Sequence, residues 1–272
     1  MNTRFKACGL ITLTTDFGTR DPFVGVMKGM ILRHHPLAKI IDLTHEILPH
    51  WPAEASFWLA RTSEFFPMGS VHVAVVDPGV GTTREIALLE TSEHMYLAPD
   101  NGLLGAVAAR NLDARLWRVS NTALQTLGLA KPSATFHGRD IFAPLAAELA
   151  SGRFVAEELG VPLQSLIPCW IEAPQITYDR VSGIVITIDH FGNLITNIEA
   201  ASIEFWKDPL IFVGSAQLSL RRTYRDADPG ECLALINSFG VVEIAVSEGR
   251  ASEVLGLSRG APVIIRDAVR RF

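Results

Sequence analysis

The chain has 272 residues, which is long enough to bury two hydrophobic cores. Hydrophobic residues make up 48% of it and charged residues 19%, as in an ordinary globular protein, and its formal charge is −5 at pH 7. No run of Lys and Arg could follow a phosphate backbone, so the composition argues against nucleic acid as a partner.

The first half of the chain alternates between short, β-branched apolar runs and segments with helical apolar spacing. Pro52 suits the first turn of one of these helices, because its fixed φ is helical and its missing N–H needs no partner there. The alternation predicts an α/β N-terminal domain with a mostly parallel sheet covered on both faces. The predicted strands are 10–15, 40–43, 71–76, 86–89 and 95–98, and the predicted helices follow Pro22, start at Pro52 and span 102–109 and 138–150.

The alternation of strand and helix patterns ends after residue 150. Three prolines between 151 and 178 interrupt any regular period, and the residues beyond them form short apolar runs separated by turn sequences. This predicts an α/β domain over 1–165, a linker over 166–180 and a smaller all-β domain over 181–272, either a barrel or a sandwich. The predicted strands of the second domain are 183–188, 194–198, 210–213, 232–236, 241–246 and 262–265.

The cysteines and the N-terminus indicate the cellular setting. Cys8, Cys169 and Cys232 are scattered and odd in number, which fits neither a disulfide framework nor the spacing of metal ligands. The apolar run before Thr14 is too short for a signal peptide, and no stretch approaches the length of a membrane span. We therefore expect a cytoplasmic protein with no membrane partner.

Asp16, Asp77 and Asp100 each follow a predicted strand of the first domain. Ligands bind at the carboxyl ends of strands in parallel α/β sheets, and a carboxylate there can accept hydrogen bonds from a vicinal diol such as ribose. A single Asp in this position can equally cap the following helix. Three of them in one domain favour a binding site.

The loop from Asp77 to Arg84 contains two glycines that let backbone N–H groups approach a ligand. It is not a P-loop, since no Lys-Ser or Lys-Thr follows its second glycine, and it lacks the glycine spacing of a dinucleotide site. A tight connection between two strands, with Arg84 as a solvated charge, accounts for the loop equally well.

His137 lies in a dense polar sequence, Phe136-His137-Gly138-Arg139-Asp140, at the start of a predicted helix. A helix cap is the commoner role for such a histidine, although flanking Gly, Arg and Asp are more than a cap requires. The remaining histidines lack metal-ligand spacing, so we predict no metal site.

In the second domain, residues 189–193 lie between two predicted strands, and Gly192-Asn193 suits a hairpin turn. In an alternative interpretation Phe191 stacks on a base whose polar edge Asn193 reads. The sequence leaves both interpretations open.

Six segments in both halves of the chain form a specific pattern. They are Thr15-Asp16-Phe17-Gly18 with Asp21, Asp42-Leu43-Thr44-His45, 76–81, 98–103, 136–142 and 188–194. In this order they resemble one family, the S-adenosyl-L-methionine (SAM) hydroxide adenosyltransferases, which are related to the fluorinating and chlorinating enzymes that act on the same substrate.

The resemblance implies an N-terminal α/β domain, a C-terminal β domain and a homotrimer with sites at its subunit interfaces. It also implies an enzyme, an adenosine-forming SAM hydrolase, in which water or hydroxide attacks ribose C5′ and releases L-methionine. The partner is then a small-molecule substrate, SAM itself, and no cofactor is needed. The residues implied to be catalytic are Asp77, Arg84 and His137, and those implied to bind substrate are Asp16, Asp21, Asp189, Phe191, Asn193, Ser247 and Ala251.

Two features favour hydrolysis over halogenation. The halogenating relatives have an uncharged residue at the position of Asp77 and an extra loop after the next strand, whereas here Asp77 is acidic and the passage 86–100 is compact. A carboxylate beside C5′ repels a halide and suits a water. The alternatives are a SAM-dependent halogenase that forms 5′-halo-5′-deoxyadenosine and a protein that binds SAM or adenosine without catalysis.

The sequence also departs from the family at two places. The segment 246–251 differs from the Asn-x-Gly-Asn that such hydrolases often show, and His50 stands where the halogenating relatives have Trp. If Asp77 pairs with Arg84, its carboxylate is stabilised as an anion and becomes a weaker base. We therefore expect Asp77, Arg84 and His137 to act on the water as a unit.

Overall fold

The computed structural model describes residues 4–171 and 173–268. The chain divides into two compact units, Met1–Trp170 and Ile171–Phe272, and each has its own hydrophobic core. The division falls within the stretch 166–180 that the sequence predicts as a linker. The predicted α/β and β domains are thus found in the first and the second unit.

The first unit contains a seven-stranded sheet in the order β2-β1-β3-β5-β4-β6-β7. The strands β2, β1, β3 and β5 are parallel, and β4 and β7 run antiparallel to their neighbours. The sheet is therefore mixed but mostly parallel, as predicted. Its strands are β1 (Leu10–Thr15), β2 (Lys39–Thr44), β3 (Ser70–Val75), β4 (Ile86–Glu90), β5 (His94–Pro99), β6 (Arg115–Val119) and β7 (Gly160–Pro162).

Helices cover both faces of this sheet. On one face, Ile11 and Val73 pack with Met27 of the first helix and Leu145 of the fifth, and on the other face Leu89 is buried in a second cluster with residues of the second and third helices. Strands that are buried on both faces are the reason for the continuous apolar runs in the sequence. The helices are α1 (Phe23–His34), α2 (Pro52–Thr62), α3 (Gly105–Arg110), α4 (Asn121–Thr126), α5 (Ala143–Ala150) and α6 (Ala156–Leu159).

Two predicted helices begin later than the sequence indicated. The helix predicted over 102–109 starts at Gly105, because Gly102 has a φ of +92° that no helix contains. The helix predicted over 138–150 is an α-helix only from Ala143, and a π-helical turn over Gly138–Phe142 precedes it. Such π turns occur frequently at functional sites. The strand β6 and the short elements around it were not predicted.

The second unit is a closed β barrel, which decides between the two architectures that the sequence allowed. Its strands follow the order β10-β14-β13-β12-β11-β15-β9, and β9 pairs with β10 to close the ring. All neighbouring pairs are antiparallel except β12 and β13. The elements are β8 (Gln175–Ile176), β9 (Arg180–Ile188), β10 (Leu194–Glu199), β11 (Pro209–Val213), β12 (Ala216–Arg221), β13 (Cys232–Ile236), β14 (Val241–Val246), α7 (Ala251–Val254) and β15 (Pro262–Asp267).

The strand β12 was missed in the sequence, although the alternation from Gln217 to Leu220 carried the signal of a half-buried strand. Gly214 makes the turn that joins it to β11, with a φ of +55°. Within the described ranges, no helix is long and apolar enough to cross a membrane.

Candidate active site

A cavity of about 340 Å³ opens at the carboxyl ends of β1 and β3 in the first unit. This is the edge of a parallel sheet at which α/β proteins bind ligands. Its polar lining includes Asp16, Asp77 and His137, and its apolar wall includes three phenylalanine rings. These rings, Phe17, Phe23 and Phe136, contact one another edge to face with centroids 5.3–6.1 Å apart.

Asp77 and Arg84 form a buried ion pair at opposite ends of the loop between β3 and β4. Arg84 Nε lies 2.8 Å from both carboxylate oxygens of Asp77, and Nη2 donates to Oδ2 as well. The side chains of Asp77 and Arg84 are only 4% and 9% exposed. The interpretation of Arg84 as a solvated surface charge is therefore wrong, and its guanidinium is committed to the carboxylate.

The backbone of the loop is fixed at several points. Thr82 Oγ1 donates to the Gly79 carbonyl at 2.7 Å, and Gly81 has a φ of +79°. A Cβ atom at Gly81 would lie 2.3 Å from the Ala134 carbonyl oxygen, so only glycine fits this approach. The loop is thereby held against the segment that leads to His137.

His137 completes the cluster from the π turn. Its Nδ1 lies 3.0 Å from Arg84 Nη2, and because a guanidinium has donors only, Nδ1 accepts this hydrogen bond. Burial lowers the pKa of His137, the Arg84 guanidinium lowers it further, and Asp77 and Asp140 offset this in part. The ring is therefore neutral at pH 7 with its proton on Nε2.

The hydrogen bonds of the cluster limit what it can do to a ligand. The Asp77 carboxylate has about four acceptor positions, of which the Arg84 contacts take most. Nε2–H of His137 remains as a donor, and a free carboxylate position remains as an acceptor. A water molecule is a ligand that can satisfy both at once.

Asp16 is hydrogen-bonded to a strained residue of the cavity lining. Its Oδ2 accepts a hydrogen bond from the backbone N–H of His50 at 3.0 Å, and His50 has a φ of +66°, which is unusual for a residue other than glycine. Strain of this kind clusters at functional sites. One oxygen of Asp16 is fixed in this way, and the carboxylate keeps acceptor positions for a ligand.

Asp21 and Asp100 lie outside the cavity lining. Asp21 is an exposed residue of the turn that precedes α1. Asp100 is buried, and its Oδ1 accepts the Ile167 N–H at 2.9 Å. Burial raises the pKa of Asp100, and the Ile167 hydrogen bond lowers it only in part. Asp100 therefore supports the fold, although the sequence places it like Asp16 and Asp77.

Asn101 belongs to the motif 98–103, and in the structure its side chain anchors the loop that carries Asp77. Its Nδ2 donates to the Val76 carbonyl at 2.9 Å, immediately before Asp77. The backbone N–H of Asp100 donates to the Glu85 carbonyl, immediately after Arg84. Both ends of the loop that carries the ion pair are thus anchored to the end of β5.

In the barrel, Asp189 and Asn193 bind each other across a turn. Asp189 Oδ1 accepts the backbone N–H of Asn193 at 2.9 Å, and Oδ2 accepts its side-chain amide at 3.0 Å. The hairpin interpretation of this segment is therefore right. Phe191 at the tip of the turn is 70% exposed, which is the geometry of a ring available for stacking.

Ala251 lies next to this turn and Ser247 follows β14. The turn packs on the first residues of α7, where Ser252 N–H donates to the Gly192 carbonyl at 2.9 Å. Ala251 and Ser247 are both buried. Their backbones are placed at the same end of the barrel as Asp189, because β14 is paired with β10.

Glu243, a buried acid close to Asp189, is not among the predicted site residues. Burial raises the pKa of Glu243 and the charge of Asp189 adds to this, while hydrogen bonds from Tyr224 and Asn237 lower it. The side chain is 3% exposed. Glu243 lies in the middle of the apolar strand β14, and a charged residue in such a strand is its only signal in the sequence.

Among residues 4–171 and 173–268, no cluster of three or more His, Cys, Asp and Glu side chains could hold a metal ion. The three cysteines are free thiols.

Comparison with known proteins identifies both parts of the chain. A family model described as the SAM hydroxide adenosyltransferase N-terminal domain matches residues 11–160, and one described as the C-terminal domain matches residues 183–264. The chain is 39% identical over 253 residues to an (R)-S-adenosyl-L-methionine hydrolase of Salinispora arenicola, over 92% of this chain and 95% of that protein. A protein of the same name from Thermus thermophilus is 36% identical over 257 residues, covering 92% and 96%.

A solved structure has a similar fold, and a fluorinase is a more distant relative. The structure of an uncharacterized conserved protein from Thermotoga maritima has a TM-score of 0.85 at 37% identity, covering 94% of this chain and 99% of its own. A fluorinase of Actinopolyspora mzabensis is 28% identical over 290 residues, covering 93% and 96%.

Proposed function

We propose that this chain, which belongs to the SAM hydroxide adenosyltransferase family, hydrolyses S-adenosyl-L-methionine to adenosine and L-methionine. Both domains of the family are matched in order along the chain. The relatives named as hydrolases are 36–39% identical to it, whereas the fluorinase is 28% identical. The observation that carries the proposal is the buried cluster of Asp77, Arg84 and His137 beside a cavity that also contains Asp16.

The leaving group determines what the protein has to supply. The C5′–S bond breaks with its electron pair going to sulfur, so a sulfonium leaves as a neutral thioether and needs no general acid. The difficulty lies in the nucleophile, because free water has a pKa of about 15.7. Holding one water in line with the breaking bond removes several kcal/mol of the barrier.

Asp77, Arg84 and His137 hold that water as a unit. Nε2–H of the neutral His137 donates to the water oxygen, and the acceptor position that Arg84 leaves on Asp77 accepts a hydrogen bond from the water. Arg84 orients both partners and balances the carboxylate charge. The oxygen becomes strongly acidic as it bonds to C5′, so even a carboxylate weakened by its pairing with Arg84 can take its proton, which then passes to solvent.

The remaining site residues are assigned to substrate recognition. Asp16 accepts the ribose hydroxyls with the oxygen positions that His50 leaves free. Asp189 and Asn193, with Phe191 as a stacking surface and the neighbouring Ser247 and Ala251, bind the adenine and methionine parts. Asp21 lies outside the cavity lining, and its assignment to substrate binding rests on the family resemblance alone.

The decisive experiment measures products and the origin of the new oxygen. Purified protein is incubated with SAM in H₂¹⁸O, and adenosine and methionine are quantified by mass spectrometry. The proposal expects one ¹⁸O in adenosine and none in methionine. Formation of 5′-chloro-5′-deoxyadenosine when chloride is added would establish halogenation instead, and binding without any product would establish a SAM-binding protein.

Three finer properties belong to the proposal as well. The two hydrolase relatives are named for the (R) form of the substrate, so both sulfonium epimers are assayed and the (R) epimer is expected to react faster. A homotrimer with sites at its interfaces rests on the family resemblance, and light scattering of the purified protein measures it. A cytoplasmic location rests on the scattered free cysteines.

A further inference from the structure

The motif Asp42-Leu43-Thr44-His45 at the end of β2 has no part in the mechanism above, and its His45 contacts Thr15 and Gly18, which flank Asp16 in the chain. The pairing of β1 with β2 shifts by one residue here, since Leu13 pairs with Asp42 but Thr14 pairs with Thr44. Irregularities of this kind re-aim the residues that follow them. Here the shift directs His45, which is 3% exposed at its side chain, toward the end of β1.

His45 lies between the buried Thr15 and the exposed Asp42. Its Nδ1 lies 2.8 Å from Thr15 Oγ1, and its Nε2 lies 3.1 Å from Asp42 Oδ1. Lys28 Nζ in turn lies 2.6 Å from Asp42 Oδ2. Burial works to raise the pKa of Asp42, but the contacts with Lys28 and then with His45 outweigh it, so the carboxylate is held in its ionised form.

Thr15 Oγ1 joins His45 to the start of the segment that carries Asp16. It accepts the backbone N–H of Phe17 at 3.2 Å and lies 2.8 Å from His45 Nδ1. The hydrogen bond with the imidazole fixes the hydroxyl rotor of Thr15, and the hydroxyl oxygen fixes the N–H of Phe17.

The backbone of the same residue holds the next position of the loop. The Gly18 N–H donates to the His45 carbonyl at 2.8 Å, and the Ile47 N–H approaches the Thr15 carbonyl at 3.4 Å. Asp16 therefore lies between two residues that His45 restrains, while His50 holds its carboxylate from the other side.

We propose that His45 is a positioning residue that, through Thr15 and the Gly18 N–H, sets the orientation of the Asp16 carboxylate for a ribose diol. The inference rests on the proposed function, because it takes Asp16 as the group that accepts the ribose hydroxyls. Its consequence is specific, since loss of the His45 side chain weakens the recognition of hydroxyls and leaves the rest of the ligand unaffected.

The experiment compares two probes, adenosine and 2′,3′-dideoxyadenosine, by isothermal titration calorimetry of the full-length protein. Two charge-assisted hydrogen bonds at about tenfold each predict that the wild type binds adenosine about 100-fold more tightly than the dideoxy compound. In Asp16→Ala the two affinities become nearly equal. In His45→Gln their ratio falls by about tenfold, toward that of Asp16→Ala.

The chain supplies a matched control on the same strand. Thr12 Oγ1 and His72 Nδ1 also lie 2.8 Å apart and are buried, but they join the middle of β1 to β3, away from the cavity lining. His72→Gln therefore removes a comparable buried pair, and the ratio of the two affinities stays at its wild-type value. A ratio that falls equally in both variants would mean general loosening of the sheet and would overturn the inference.

A second pair of variants decides the question if His45→Gln does not fold. Thr15→Val removes the hydroxyl at nearly constant volume and is expected to lose the discrimination, whereas Thr15→Ser keeps the hydroxyl and is expected to retain it. Wild-type discrimination in His45→Gln or in Thr15→Val contradicts the positioning role alone. If the wild type binds both probes equally, or if Asp16→Ala still prefers adenosine, Asp16 does not accept the ribose hydroxyls and the inference about His45 is wrong. Adenosine release from SAM tests the proposed hydrolysis separately.

Discussion

Replacing Asp77 by Asn is the sharpest perturbation of the candidate site, because it changes charge and hydrogen bonding with almost no change of volume. An amide presents an NH₂ group where Arg84 Nε and Nη2 need acceptors, so at least one donor faces a donor. It also leaves the Arg84 guanidinium, 9% exposed, without a charged partner. Both the water site and the local stability are affected.

The two effects have different sizes. Breaking a buried ion pair by removing one partner costs about 3–5 kcal/mol of stability. Loss of the group that accepts the water proton lowers kcat by about 10²–10⁴-fold. Because His137 accepts from Arg84 through Nδ1, reorientation of Arg84 in Asp77→Asn also disturbs the histidine. We therefore expect a loss of kcat at the upper end of that range, about 10⁴-fold.

The assay is release of adenosine from saturating SAM, followed by liquid chromatography, together with a denaturant titration of each variant. Asp100→Asn is the control, because Asp100 follows a strand at the same edge of the sheet but binds the Ile167 N–H outside the cavity lining. Its kcat is expected to stay close to that of the wild type. The control separates an effect on chemistry from the loss of any carboxylate in this region.

A double variant tests whether the three side chains act as a unit. If they do, adding Arg84→Ala to Asp77→Asn lowers kcat little further, since groups that act together are strongly non-additive. The reasoning is refuted if Asp77→Asn in a folded protein releases adenosine at the wild-type kcat. It is also refuted if the losses in the two single variants multiply in the double variant.

Three further predictions concern stability and loop geometry. Burial lowers the pKa of His72 to about 3, so the unfolded chain takes up a proton near pH 6.5 that the folded chain does not, and stability is lost as the pH falls below 6.5. Between pH 7 and pH 5 this contributes about 2 kcal/mol to the loss of unfolding free energy, and denaturant titrations should show that much less pH dependence in His72→Gln. Gly81→Ala should lose more than about 1 kcal/mol of stability and most of its turnover, because the new Cβ meets a backbone carbonyl at 2.3 Å. Gly128 is the control, since it has a similar φ of +71° but lies in open space. Gly128→Ala should therefore show only the smaller cost of backbone strain in thermal unfolding. Asn101→Asp removes the donor to the Val76 carbonyl, which should lower kcat about tenfold through a shift of the loop, and a wild-type kcat would show that this anchor has no role in positioning.

The sequence by itself determined the class of both domains and pointed to the edge of the first sheet at which the cavity lies. The continuous apolar runs of β1 and β3 are a direct consequence of burial on both faces, and they are legible without any structure. Polar residues directly after such strands, including Asp16 and Asp77, fall at one edge because parallel strands end on the same side. The motifs extended this to the family and to its reaction.

Only the tertiary structure decided which of these side chains meet. Asp100 has the same position after a strand as Asp77, yet its carboxylate turns to the Ile167 N–H, a partner 67 residues away. His137 reaches Arg84 across 53 residues from the position just before a π turn, and such a turn has no sequence period of its own. His45 belongs to a sequence motif, but only the fold brings its ring to Thr15. Local periodicity reports burial, whereas contacts between distant residues depend on strand order and loop conformation, which the pattern along one chain does not encode.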